Sequence, residues 1–323
     1  MKNKKRPFIP RVLNHVYQRA INGSLIFYAV SDYLVYFTLM CVLARKYKVK
    51  MLMVCLMPDH IHNSAITERA KNLSLFMHEL SRLFSYEQNM ICGTKGFFFE
   101  KSFGSAPKKG DKTVRTNLIY VGNNPVERQL VAVAEKYRWN IIAYATSDHP
   151  FSEKLVIRRA SWNLQQVLKE VKRCREKDKP LKYNQLQRMF SKLNAKEKQQ
   201  LTDYIISIYN VIDYDAAIRY FGSYEKMLIA MHSTTGSEYD INEVFVGKSD
   251  KCYAKMISIC LNELNIKDIH DVLKMDSDTK MDLLHLLERK TDAPLEQIAA
   301  FLRLPVHKAP KPVLEDPIGV GRN

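Results

Sequence analysis

His60 and His62 stand one residue apart behind an apolar run, Met51 to Leu56, and a Pro58-Asp59 pair. The apolar run reads as a buried strand and Pro58-Asp59 as a turn, so the two histidines begin the next extended segment. Residues two apart on a strand point to one side, which lets both imidazoles face a shared ligand. Such a pair is a clamp for a divalent ion that still needs a third ligand. An oxygen-rich shell favours magnesium, and two imidazole nitrogens tilt the preference toward manganese.

Hydrophobic periodicity supplies the elements that would position this pair. Strands are expected at 14–20, 25–29, 49–57, 60–66 and 97–103, and helices at 32–47, 71–90 and about 114–136. Leu73, Phe76, Leu80, Leu83 and Phe84 recur at helical spacing, and Ser31-Asp32 is a good helix start. The fold class predicted is α+β, a mainly antiparallel sheet with helices packed on it. After Ser161 the spaced apolar residues predict helices over 164–174, 181–190, 195–211, 223–232 and 251–264. The expected organisation is a first domain over 1–150, closing at Ser147-Asp148-His149-Pro150, then a helical region over 151–250. A helical domain over 251–306 and a disordered tail over 307–323 complete it.

Of 323 residues, 50 are Lys or Arg and 34 Asp or Glu, a net charge of +16. Residues 236–300 hold eight basic against thirteen acidic residues, which leaves residues 1–235 with +19. A basic surplus on the histidine-bearing part points to a polyanionic partner, most simply nucleic acid. Lys101, Lys108, Lys109, Lys112 and Arg115, with Gly104 and Gly110, read either as a phosphate-contacting loop or as a solvated charge run. Beside them Phe97, Phe98, Phe99 and Phe103 are candidates for stacking on bases or for a core strand. Six cysteines without CxxC spacing suit buried thiols in a reducing cytoplasm. The apolar stretch from Ser24 to Ala44 is interrupted by Asp32 and reads as a core helix rather than a membrane span. Met1 to Arg6 lacks the apolar segment of a secretory signal.

Met57-Pro58-Asp59-His60-Ile61-His62 resembles the signature of HUH single-strand endonucleases, and more narrowly of the REP-associated tyrosine transposases. His15-Val16-Tyr17-Gln18-Arg19-Ala20 followed by Leu25-Ile26-Phe27-Tyr28 resembles that family's opening strand and the start of its first helix. Leu118-Ile119-Tyr120-Val121-Gly122-Asn123-Asn124-Pro125-Val126 resembles the segment with its nucleophilic tyrosine. The likeness covers roughly the first 145 residues, with three motifs in order. It implies a ferredoxin-like HUH sheet and a divalent ion, Mg²⁺ or Mn²⁺, on His60, His62 and Asn124. Tyr120 would be the nucleophile, forming a 5′-phosphotyrosine on single-stranded or hairpin DNA. Arg19, Lys101, Lys108, Lys109, Lys112 and Arg115 are the implied DNA contacts.

Asn124-Pro125-Val126-Glu127 is equally a helix-start signal, with Asn124 as N-cap, so its role as a ligand stays open. Gly122-Asn123 stands where the family carries a bulkier pair, which predicts a loosened helix around Tyr120. Asn63 and Ser64 are polar where the family is apolar. A non-catalytic hairpin-binding protein derived from a transposase would show nearly the same sequence. A histidine-triad hydrolase needs a third alternating histidine, and Ser64 occupies that position. Relatives build their sites within one subunit or across a dimer, so a homodimer is also open. Lys280 to Lys290 and Pro294 to Leu302 resemble a helix-turn-helix, yet Pro310 would cut the second helix short. A packing or protein-contact module fits that segment better.

Overall fold

The computed structural model describes residues 7–96, 98–100, 102–234 and 249–305. Four strands, β1 (Leu13–Arg19), β2 (Lys50–Leu56), β3 (His60–Ile66) and β4 (Gly104–Lys108), form one sheet in the order β2-β3-β1-β4. Every neighbouring pair is antiparallel. α1 (Val30–Lys46) joins β1 to β2 and α2 (Ala70–Cys92) joins β3 to β4. The register sets His15 opposite Ser64, Tyr17 opposite His62 and Arg19 opposite His60. By strand alternation these six residues share one face, which α3 (Asp111–Glu127) covers. On the other face Gln18 Oε1 accepts a hydrogen bond from Ser81 Oγ of α2 at 2.9 Å, and Val16 and Ile61 are wholly buried.

Local chemistry explains the helix limits. Asp32 in the first turn of α1 accepts hydrogen bonds from the backbone N–H groups of Tyr28 (2.6 Å) and Ala29 (2.9 Å). α2 buries Leu73, Phe76, Met77, Leu80 and Phe84 on one stripe and ends at Gly93, whose φ of 64° suits a residue without Cβ. At β4 the ring of Tyr17 lies across Gly104, where a Cβ would stand 2.2 Å from Tyr17 Cζ. The edge of β2 is covered by the segment before α7 (Tyr214–Ile218), where Asp213 N–H donates to Met51 O at 2.8 Å.

Three expected elements differ. Residues 25–29 form no strand, because the amides of Ile26 and Phe27 both converge on Pro58 O, at 2.6 and 3.1 Å. Nor is 97–103 a strand. The fourth strand is 104–108, inside the supposed basic loop, as an edge strand where Pro107 and lysines are tolerated. Phe98, Phe99 and Phe103 are buried, the first two against Phe84, so they pack the core; Phe97 lies outside the described residues. α3 starts at Asp111 after Gly110 (φ 77°) and ends at Glu127, short of the expected 136. Short 3₁₀ turns follow it.

α4 (Trp162–Glu176), α5 (Tyr183–Phe190), α6 (Ala195–Tyr209), α7 and α8 (Tyr224–Ser233) share one apolar core with the sheet and α1–α3. A second core gathers α9 (Lys251–Glu263), α10 (His270–Lys274), α11 (Ser277–Lys290) and α12 (Leu295–Leu302) around Leu25, Tyr28 and Cys92. α12 is buried from Gln297 to Leu302, and Tyr28 Oη donates to Phe301 O at 2.6 Å. The residues from 306 onward, including Pro310 and the expected tail, lie outside the described residues. No helix among the described residues is long and apolar enough to cross a membrane.

Candidate active site

β3 and α3 bring four of the sequence-selected residues together. Asn124 lies inside α3, not at a helix start, so Tyr120 and Asn124 share a face one turn apart. Pro125 is accommodated in the last turn. Gly122 does not loosen the helix. It admits α8, since a Cβ there would meet Met231 Cε at 2.7 Å, and Asn123 Nδ2 donates to Met231 O at 2.8 Å. Ser64, one strand step past His62, ties β3 to α3 through Asn117 Oδ1 at 3.1 Å.

The Asn124 amide faces both histidines. Its Oδ1 is 3.0 Å from His60 Nε2 and its Nδ2 is 3.3 Å from His62 Nε2. Each ring has an outer partner on its other nitrogen: His60 Nδ1 is 2.6 Å from Asp59 Oδ1, and His62 Nδ1 is 2.9 Å from His15 Nε2. Such partners fix the tautomer and leave both Nε2 atoms turned to the amide. Burial, then the nearby His60 and His15, push His62 well below the ordinary imidazole range. Burial, then Lys108 and His60, push His15 down to about 3. Both rings are therefore neutral near pH 7. Asp59 is held below the usual carboxylate range: burial works against its charge, and His60, Arg19 and Arg128 outweigh it.

These groups fit a divalent ion. With Asp59 fixing a neutral tautomer, His60 Nε2 turns a lone pair on Asn124 Oδ1 at 3.0 Å, an opposition that a cation relieves. A spacing near 3 Å is also the edge between adjacent ligands bonded at about 2.1 Å. Among the described residues no three His, Cys, Asp or Glu side chains form a ligand group; here an amide supplies the third donor.

The Tyr120 ring stands edge-on to His62 and His15, with centroids 5.5 and 5.7 Å away. Tyr120 is 3% exposed, and His60, His62 and Asn124 are at most 1% exposed, so the site is closed. Tyr137 and Tyr144 are tied elsewhere, to Leu56 O at 2.8 Å and Asp203 Oδ1 at 2.7 Å. Arg19 is half-buried and faces His60 across the strand pair. Lys108 lies in β4, within electrostatic reach of His15. Lys109, Lys112 and Arg115 are exposed where β4 passes into α3, and Lys101 lies outside the described residues.

Sequence reasoning did not select His15, Asp59 or Arg128 as site residues. His15 carried a usable signal, its period-two alternation with Tyr17 and Arg19. Asp59 was seen only as a turn residue.

No family model matches the chain, and no curated protein does. Among solved structures it is similar to a REP-associated tyrosine transposase bound to a REP hairpin, with a TM-score of 0.37 and 17% sequence identity. That likeness covers 43% of this chain and 81% of the other.

Proposed function

We propose that this protein cleaves and rejoins single-stranded DNA through a 5′-phosphotyrosine on Tyr120, acting on hairpin-flanked strands with Mg²⁺ or Mn²⁺. The observation that carries the reading is the placement of Tyr120 and Asn124 on one face of α3, with Asn124 between His60 Nε2 and His62 Nε2. The order β1-α1-β2-β3-α2-β4 supports reading the sheet layer as a ferredoxin-like HUH core. A divalent ion on His60, His62 and Asn124 would supply charge neutralisation at a non-bridging phosphate oxygen. Tyr120 Oη forms the bond to phosphorus as the P–O3′ bond breaks. The phenol gives up its proton and the departing 3′ oxygen takes one up. A second 3′-hydroxyl attacking the phosphotyrosine reverses the step and joins strands. Arg19 and Lys108 flank the site, and Lys109, Lys112 and Arg115 extend the positive surface toward the rest of the strand.

The closure over Tyr120 favours a second reading, a catalytically idle hairpin-binding protein. Incubation with hairpin oligonucleotides and Mn²⁺ separates the two. The first expects a denaturant-stable adduct that maps to Tyr120 and disappears in Tyr120→Phe, which keeps the ring and removes the attacking oxygen. An adduct on Tyr137 or Tyr144, or none in the parent protein, overturns it.

A further inference from the structure

The residue that precedes α9 reaches the rear of the histidine pair. Asp250 is buried, and its N–H donates to Arg128 O at 3.1 Å. Its Oδ1 accepts from Arg128 Nε at 3.1 Å and Nη2 at 2.5 Å. Arg128 is itself buried at the end of α3, with its N–H bonded to Asn124 O at 3.1 Å. A guanidinium taken out of water needs a carboxylate, and two lie within its reach. One is Asp250, which it bonds. The other is Asp59, whose charge acts on Arg128 and which already accepts from His60 Nδ1.

We propose that Asp250 is a positioning residue for the candidate active site: by holding Arg128 it keeps that guanidinium from drawing Asp59 away from His60. The docking of α9–α12 is thereby coupled to the orientation of the histidine pair. Three further observations agree. Asp250 Oδ2 has no hydrogen-bond partner among the described residues, so this carboxylate is not placed for its own satisfaction. Burial, then the nearness of Asp59, pushes Asp250 up to about 6, as two carboxylates around one cation require. Asp59 is 2% exposed, so it has little water to replace His60 as a partner. The inference rests on the catalytic reading only for its rate consequence.

The test uses the full chain labelled with ¹⁵N-histidine. In the parent protein the His60 Nδ1 proton, shielded and bonded to Asp59, gives a downfield resonance, identified by its loss in His60→Gln. Asp250→Asn should abolish that resonance, weaken Mn²⁺ binding at least tenfold by calorimetry, and slow adduct formation at least tenfold at saturating DNA with KM unchanged. Arg128→Met combined with Asp250→Asn removes the competitor with its restraint and should restore the resonance. An unchanged resonance and unchanged Mn²⁺ affinity in Asp250→Asn overturn the proposal. If that variant does not fold, the double variant decides: a folded protein lacking the resonance overturns it as well. A parent protein that forms no adduct sinks the catalytic reading, while the resonance still decides the role of Asp250.

Discussion

His15 Nε2 lies 2.9 Å from His62 Nδ1, a contact between neighbouring strands that fixes which nitrogen of His62 faces Asn124. Together with Asp59 on His60, it gives each histidine of β3 a partner on the side away from the amide. The pair is thus held by two different groups, a neutral ring on β1 and a carboxylate in the β2–β3 turn. The two rings stand at 81° to each other and still present Nε2 to one point.

His15→Leu should therefore weaken Mn²⁺ binding by about 10- to 100-fold, the usual effect of removing an outer partner of a metal-bound histidine. His15→Gln, whose amide oxygen can still accept from His62 Nδ1–H, should retain most of the affinity. Calorimetric titration distinguishes them, and equal affinities in parent and His15→Leu would remove His15 from the site.

His270 joins α10 to the start of α1. Its Nε2 is 2.8 Å from Asp32 Oδ1 and its Nδ1 2.6 Å from Asp268 Oδ1, while Tyr183 Oη donates to the same Asp32 oxygen at 2.7 Å. Burial opposes the charge on His270, but the two carboxylates raise its pKa to about 10. A raised folded-state pKa stabilises fully below the unfolded value near 6.5 and is lost as pH rises through about 10. Stability should thus fall between pH 7 and 10 with a contribution of about 1.4 kcal/mol per pH unit. His270→Gln should flatten that slope and cost roughly 3–5 kcal/mol at neutral pH, as breaking a buried ion pair does. Denaturant unfolding at pH 6.5 and 9 measures both; a parent protein equally stable at the two would refute the assignment.

Local pattern was enough to place His60 and His62 on one side of a strand and Tyr120 four residues before Asn124 on a helix. Period two and period 3.6 are properties of a short segment. What stayed hidden depends on partners distant in the chain. His15 pairs with a ring 47 residues away, and Arg128 with a carboxylate 122 residues away. Segment 104–108 read as a loop because glycine, proline and lysine depress strand propensity, and its pairing with β1 overrides that preference. The N-cap signal at Asn124-Pro125 was genuine local chemistry that lost to the packing of α3 between β3 and α8.

Lys109, Lys112 and Arg115 are exposed at the β4–α3 corner. Replacing all three with glutamine should lower affinity for a single strand and flatten its salt dependence. Each lost phosphate contact removes about 0.7 from the slope of log K against log salt concentration. Fluorescence anisotropy from low to physiological salt reads this directly. An unchanged slope means that the strand runs elsewhere, and Arg19 and Lys108 become the next residues to substitute.

Asn124 is wholly buried and is the one side chain that meets both Nε2 atoms. Asn124→Leu keeps the volume and removes both polar contacts. In the absence of metal it should cost about 1–3 kcal/mol, the penalty for leaving a buried polar partner unsatisfied. It should also abolish the rise in Tm that Mn²⁺ confers on the parent, because two imidazoles alone form an incomplete shell. Asn124→Asp supplies an anionic oxygen at the same position and should bind Mn²⁺ at least as tightly as the parent. Without metal the same carboxylate, enclosed beside neutral His62, should make this protein the less stable of the two below about 1 μM free Mn²⁺ by roughly the same 1–3 kcal/mol. Thermal unfolding of the three proteins with and without Mn²⁺ gives the comparison. If Asn124→Leu keeps the full Mn²⁺-dependent rise, the ion is not held by the amide, and its site must be sought away from α3.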